Sequence, residues 1–313
     1  MNKSIEILMA VYNQEKYLSE QLDSIFKQTH SHFHLIIRDN CSTDRTKEIL
    51  KKWSKQYPEK ISVIYGEKNL GVIGNFSALA EMASASYVMF SDSDDVWLPH
   101  KIEKSYHAMQ EMEDKHGNNV PLLVHTDLAV TDGNLHICLP SFWNATNLDG
   151  GRPLELKRAL VENQVTGCTI MMNNALLQLA RPFPSQVAMH DAWIALVASG
   201  FGHVKPLAES TILYRQHGNN DTGASSYGIK SHLKKLLDKK KRNKIIETRN
   251  KRIQQAEIFL EKFESRLSEN KRNEVKTYLK ANQSFLPIRA YLLWKNNLLE
   301  SGMLRKLFQV FVR

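Results

Sequence analysis

The chain has 313 residues, 42% hydrophobic and 24% charged, which suits a globular protein with one large α/β domain and an appendage. No stretch reaches about 18 apolar residues, which excludes a spanning helix. The three cysteines, Cys41, Cys138 and Cys168, are too few and too scattered for a disulfide framework or a thiolate zinc site. A reducing, cytoplasmic setting is the expectation, and the opening segment lacks the length and cleavage site of a signal peptide. The net charge of +9 is uneven: residues 230–313 hold 22 Lys and Arg against 8 Asp and Glu, while the first 229 residues are net −5. A basic segment of this kind suits an anionic membrane surface, nucleic acid or a solvated helical face.

In chain order, residues 5–11 (IEILMAV) read as a buried strand. Residues 15–27 read as a helix with Leu18, Leu22, Ile25 and Phe26 on one face. Phe33 to Ile37 is a second strand, ending at Arg38-Asp39-Asn40. Ser42-Thr43-Asp44 offers an N-cap for a helix to about Lys55. Ile61 to Tyr65 is a third strand, and a helix follows over about 74–84. Tyr87 to Phe90 is a fourth strand that runs into Ser91-Asp92-Ser93-Asp94-Asp95. Strands alternating with helices predict an α/β fold with a doubly wound sheet covered by helices.

Residues 99–114 read as helical, and Leu122 to His125 as a strand delivering Asp127. Residues 132–152, rich in Gly, Asn, Asp and Pro, predict an irregular loop or short hairpins. A helix over 153–163, a strand over 167–172, a helix over 188–199 and a last strand over 210–215 follow. The predicted organisation is a catalytic domain over 1–225, with halves meeting near residue 97, and a basic helical tail over 226–313. Within the tail, Ile245, Ile246, Ile253, Phe259, Leu260, Phe263 and Leu267 recur at helical spacing. The aromatic-rich stretch 285–313 suits either a membrane interface or a helix packed on the body.

Asp92, Asp94 and Asp95 place three carboxylates in four residues, a repulsive arrangement unless a cation or hydrogen bonds compensate. At a strand's carboxyl end they lie where open α/β sheets bind ligands, and oxygen ligands suit Mg²⁺ or Mn²⁺. An acidic turn opening a helix would look the same. Tyr12-Asn13 and Asp39 close the first two strands and meet the same crevice, where Tyr can stack on a base and Asp can accept from a pyrimidine N–H. Both also suit turns. Asp191, in His190-Asp191-Ala192-Trp193, is either a general base or an N-cap. Arg215, His217 and Asn220 form a further polar group able to hold phosphate or a metal.

With these residues the chain resembles the family 2 glycosyltransferases, which have the GT-A fold. ILMAVYN is similar to the family's first strand and nucleotide turn, and FSDSDD to its metal-binding signature. IRDNCSTDRT is similar to the second-strand motif, although Asn40 and Cys41 stand where an acidic residue and Gly are commoner. Asn69-Leu70-Gly71 with Asn75, then Thr166-Gly167-Cys168, His190-Asp191 and Tyr214-Arg215-Gln216-His217, carry the resemblance to about residue 220. It implies that Tyr12, Asn13, Asp39, Asn69, Asn75, Asp92, Asp94, Arg215 and His217 meet a nucleotide-sugar donor. It implies Asp94, Asp95 and His217 as holders of Mn²⁺ or Mg²⁺, Asp191 as catalytic base, and Asp127, His190 and Trp193 on the acceptor side.

Within the family the pattern is most similar to bacterial rhamnosyltransferases of capsule and cell-wall rhamnan synthesis. This implies a dTDP-L-rhamnose donor, a saccharide acceptor on a polyprenyl diphosphate, and an enzyme peripheral at the inner face of the membrane, held there by the tail. The alternatives are a UDP-hexose or UDP-N-acetylhexosamine donor, and a tail that forms a homodimer instead. The processive Gln-x-x-Arg-Trp motif is missing, so single additions are expected. A nucleotidyltransferase would need a Gly-rich phosphate loop where Asn13-Gln14-Glu15-Lys16-Tyr17 stands. Nucleic-acid binding lacks any motif beyond the basic charge, and none is expected.

Overall fold

A computed structural model describes residues 3–146, 148, 150–217 and 239–311. Asn220 and the expected boundary near 225 lie outside them. The four expected strands form one parallel block: β1 (Ile5–Val11), β2 (His34–Asp39), β3 (Ile61–Tyr65) and β4 (Tyr87–Ser91), side by side as β3-β2-β1-β4. Beyond β4 the same sheet continues through β8 (Ile170–Asn173), β6 (Leu122–Thr131), β9 (His203–Arg215) and β5 (Val96–Trp97), while β7 (Ile137–Leu139) pairs with β6. β8 runs antiparallel to both of its neighbours, and β6 runs parallel to β9. The sheet is mixed, as expected for this fold class.

The two-residue pleat sorts side chains to the two faces. Ile5, Ile7, Met9 and Val11 pack with Leu18, Leu22 and Ile25 of α1 (Leu18–Phe26) and with Ile102 and Met109 of α4 (Lys101–His116). Leu8, Val88 and Phe90 point the other way, onto Phe76 and Leu79 of α3 (Gly71–Met82), Leu176 and Leu177 of α7 (Asn174–Ala180), and α8 (His190–Phe201). α2 (Thr46–Gln56) flanks β3. The short helices α5 (Phe142–Thr146) and α6 (Leu156–Val161) occupy the region read as loop and as a longer helix.

The tail holds α9 (Lys239–Phe263), α10 (Glu269–Gln283), α11 (Leu286–Lys295) and α12 (Met303–Phe311). It is not a loose appendage. Phe259, Phe263, Val275, Tyr278, Leu293 and Leu298 are buried in the same core as Leu8 and Phe90. Phe259 fits against Gly200, where an added Cβ would lie 2.6 Å from the phenyl ring. Among the described residues, no helix is long and apolar enough to cross a membrane.

Candidate active site

The parallel strands β1, β2 and β4 end along one edge of the sheet, where β1 has a neighbour on each side and the strand order reverses. Tyr12, Asp39 and Asp92 are delivered there together. Tyr12 is half exposed, and Asn13 adopts a left-handed φ of 50°, a conformation that Asn tolerates. The Asn13 side-chain oxygen accepts from the Thr43 N–H (2.8 Å), and the Ser42 hydroxyl accepts from the Asn13 N–H (2.9 Å), locking the first two turns together. Asp39 is buried beneath them, and both its oxygens accept from the Ser42 N–H.

Asn69 and Asn75 brace this scaffold. Asn69 accepts from the Asn40 amide and from the Gly71 N–H, both at 2.8 Å. Asn75 is buried, accepts from Arg38 Nη1 at 2.6 Å and donates to the Arg38 carbonyl. The Asn69 oxygen ties the loop between β3 and α3, and Asn75 ties α3, to the end of β2.

The acidic turn follows β4. Asp95 is fully buried, and one oxygen accepts from the Arg215 N–H at 3.1 Å. Its Oδ2 has no hydrogen-bond partner among the described residues. Burial and the neighbouring Asp94 and Asp92 carboxylates push the Asp95 carboxyl well above the usual carboxylate range. Asp92, Asp95 and the Cys168 thiol bring one ligand atom each within 4.8 Å of one another. Asp94 accepts from His217 Nε2 at 2.8 Å, and His217 stacks on Tyr17 with ring centroids 4.9 Å apart. An orphaned buried carboxylate oxygen beside two further carboxylates and an imidazole is a donor set that fits a hard divalent cation.

Behind Asp95 lies Lys101, whose ammonium is buried over the Trp97 ring at 4.6 Å. Burial lowers its pKa to about 8, against the pull of Cys168 and Asp95. The sequence reading gives neither Lys101 nor Cys168 a role in the site: Lys101 opens what looks like a surface helix, and Cys168 enters only as part of the Thr166-Gly167-Cys168 resemblance.

Arg215, at the end of β9, reaches the same acidic turn. Arg215 is buried, with Nε donating to the Asp94 carbonyl (2.9 Å), Nη1 to the Gly133 carbonyl (2.7 Å) and Nη2 to Glu20. Its guanidinium lies over Tyr17 at 4.6 Å. With each of these nitrogens directed at protein, Arg215 braces the acidic turn.

Asp191 sits in the first turn of α8 and is buried. It accepts from Asn163 Nδ2 and from the Gly167 N–H, each at 3.0 Å, and from the Ala192 N–H. Burial raises its pKa to about 6, those hydrogen bonds acting in the opposite direction. Gly167 and Cys168 are consecutive in a 3₁₀ turn (Gly167–Thr169), so one short segment touches both Asp191 and the acidic turn. A side chain at 167 would meet His190 Nε2 at 2.8 Å.

The three residues expected on the acceptor side each have protein partners. Trp193 is fully buried, donates its indole N–H to the Ala180 carbonyl and packs against Phe259 and Phe263, so it walls no crevice. His190 is buried between Phe76 and Phe90, and burial lowers its pKa to about 3, a neutral packing residue. Asp127 accepts from the Phe142 and Trp143 N–H groups and from Ser141 Oγ, capping α5.

Residues 6–145 match the model of the family described as Glycosyl transferase family 2. The chain carries a family 2 glycosyltransferase domain. The glycosyltransferase is 27% identical over 252 residues to the dTDP-rhamnosyl transferase RfbG of Shigella flexneri, covering 73% of this chain and 78% of that one. It is 28% identical over 230 residues to an uncharacterized glycosyltransferase of Nostoc sp., covering 71% of this chain and 68% of the relative. Its fold matches S. aureus TarS 1-349 in complex with UDP-GlcNAc, with a TM-score of 0.54 and 18% identity over 93% of this chain and 80% of that one. It also matches the mannosyltransferase PcManGT of Pyrobaculum calidifontis in complex with GDP-Man and Mn²⁺, with a TM-score of 0.53 and 16% identity over 94% and 79%. The GT-A fold is shared with both.

Proposed function

We propose that this glycosyltransferase is inverting and metal-dependent, and moves L-rhamnose from dTDP-L-rhamnose to a hydroxyl of a cell-surface polysaccharide growing on a polyprenyl diphosphate. The observation that carries the mechanism is Asp191: buried, oriented by Asn163 and Gly167, with a pKa near 6, and joined through the 167–169 turn to the acidic cluster. A carboxylate of that basicity is mostly ionised at neutral pH yet takes a proton more readily than an ordinary Asp. Asp191 removes the proton from the acceptor hydroxyl. The acceptor oxygen then bonds to the anomeric carbon from the face opposite the nucleotide. The bond from that carbon to the diphosphate oxygen breaks, its electron pair leaving with the nucleotide, so no covalent sugar–enzyme intermediate forms.

Asp94, Asp95 and His217, with Asp92 beside them, would hold Mn²⁺ or Mg²⁺. Such an ion neutralises charge on the departing diphosphate. Arg215 keeps the turn in place through the Asp94 carbonyl and the Asp95 carboxylate. Tyr12 stacks on the base at the crevice mouth. Asp39 accepts the pyrimidine N–H once the 40–43 turn, which covers it, opens.

The rhamnosyl donor rests on the likeness to RfbG together with the sequence pattern. Its test is turnover with Mn²⁺ or Mg²⁺ across dTDP-rhamnose, UDP-GlcNAc, UDP-glucose and GDP-mannose, with saccharide and lipid-linked acceptors. Product from dTDP-rhamnose alone is expected. Product from a UDP-sugar alone would overturn the donor and leave the mechanism standing.

A further inference from the structure

The tail shares its core with the catalytic body, yet its last two helices leave a large apolar surface uncovered. Among the described residues thirteen large hydrophobic side chains are exposed, and eight lie between Phe285 and Phe311. Trp294 is 73% exposed, and Tyr291 and Phe285 lie on the same helix or at its start. On α12, Met303, Leu307 and Phe311 recur at four-residue spacing, which aligns them in one exposed stripe. An apolar surface of this extent on a folded chain marks an interaction site.

The inner side of the same helices is fixed. Leu293 and Leu298 are buried, and Arg289 donates to the Gln309 carbonyl, tying α11 to α12. Arg305 forms an ion pair with Glu162 at 2.6 Å, and Arg158 donates to the Leu299 carbonyl. The exposed side chains are therefore held outward on a rigid mount.

We infer that α11 and α12 form a docking surface for an anionic lipid bilayer, with Phe285, Tyr291, Trp294, Met303, Leu307 and Phe311 entering the headgroup region. Aromatic side chains with Lys at the flanks are the composition that settles in that zone. Lys295 and Lys306 are exposed beside them, and residues 285–313 hold five Lys and Arg against one Glu, complementary to an anionic leaflet. The same charge opposes pairing of two tails, which argues against a second copy as the occupant. The mount also lies on the base side of the site: Glu162, held by Arg305, directly precedes Asn163, which holds Asp191. The sense of this arrangement rests on the lipid-linked acceptor proposed above, but its test does not.

The full chain is mixed with phosphatidylcholine vesicles with and without phosphatidylglycerol, and binding is read by flotation and by tryptophan emission. Flotation only with phosphatidylglycerol is expected, weakened by salt, with a blue shift that vanishes in Trp294→Phe. The triple variant Met303→Ser, Leu307→Ser, Phe311→Ser should lose about tenfold or more in vesicle affinity, because the stripe supplies the inserted apolar area. Its melting temperature and its transfer to a water-soluble acceptor should be unchanged, since none of the three is buried. Unchanged flotation of that variant, or a wild-type dimer in sedimentation that the variant splits, would overturn the inference. Vesicle binding without rhamnosyl transfer would sustain this surface while removing the donor reading.

Discussion

Replacing Asp191 by Asn separates its two physical consequences. The first is catalytic: an amide cannot take the acceptor proton, so turnover should fall about 10²–10⁴-fold while donor affinity stays near wild type. The acid limb of the wild-type rate should bend near the Asp191 pKa of about 6. The second consequence is stability. Burial raises this carboxyl from 3.8 to about 6, so the folded protein binds a proton more tightly than the unfolded chain does. The stabilisation tied to that proton is complete below the unfolded value and is lost as pH rises through the folded one. The span corresponds to about 3 kcal/mol between acid and neutral pH. The substituted amide would turn an N–H toward the Gly167 or Ala192 N–H, a cost that does not vary with pH. The readout is therefore the difference between the two denaturation curves. Relative to wild type, Asp191→Asn should gain about 3 kcal/mol on going from about pH 3 to pH 7. Parallel curves would show that Asp191 is not held with a raised pKa, and unchanged turnover would remove it as the base.

Other outcomes follow from the same contacts. Asp94→Ala and His217→Ala should each weaken metal-dependent nucleotide binding at least about tenfold by titration calorimetry, with metal-independent binding little changed. Equal loss with and without metal would place neither residue at the cation. Arg215→Lys keeps the charge but cannot reach the Asp94 carbonyl, the Gly133 carbonyl and Glu20 together. Metal affinity should fall while the acid limb set by Asp191 stays in place; a shifted limb would contradict the separation of brace and base. Phe259→Ala empties the space against Gly200 and Trp193 and should cost about 3–5 kcal/mol in denaturant unfolding. A loss confined to the tail, with the body's transition unmoved, would contradict the shared core.

The parallel half of the sheet is legible because each of its strands is a short apolar run followed by a helix with one oily face. Ile61 to Tyr65 reads at its observed limits, and β1 likewise. The second half is less legible because its strands carry polar residues that only tertiary partners satisfy. The apolar pattern stops β6 at His125, yet the strand continues to Thr131, buried throughout. Thr126 meets Thr211 at 2.7 Å, Asp127 caps α5, and His125 is kept neutral by burial, its pKa lowered to about 3. Polar residues inside a strand look like its end until their partners are known. β9 begins at His203 rather than at 210 because Lys205, Pro206 and Glu209 hide its start. α7 escapes the sequence reading although Asn173 caps it by accepting from the Leu176 N–H, a signal present in the Asn-Asn-Ala-Leu-Leu stretch.

The site is legible as residue types at strand ends, but side-chain direction is not. Asp94 meets His217, which follows β9, while Asp92 and Asp95 approach Cys168. On α8 the residue pattern carries no direction at all, because the helix is buried on nearly every side and shows no polar face to orient it. Helical geometry supplies what the pattern lacks. Residues two apart on a helix point about 200° apart, so Asp191 and Trp193 cannot face one crevice. If Asp191 is turned toward Gly167 and the acidic cluster, Trp193 must be turned away, and it is, onto Phe259 and Phe263 of the tail. α8 thus joins the reacting edge on one side to α9 on the other. The tail that follows α9 then returns through Arg305 and Glu162 to Asn163 beside the base. A chain whose last helices meet a bilayer would hold Asp191 at a fixed place relative to that bilayer through two separate supports.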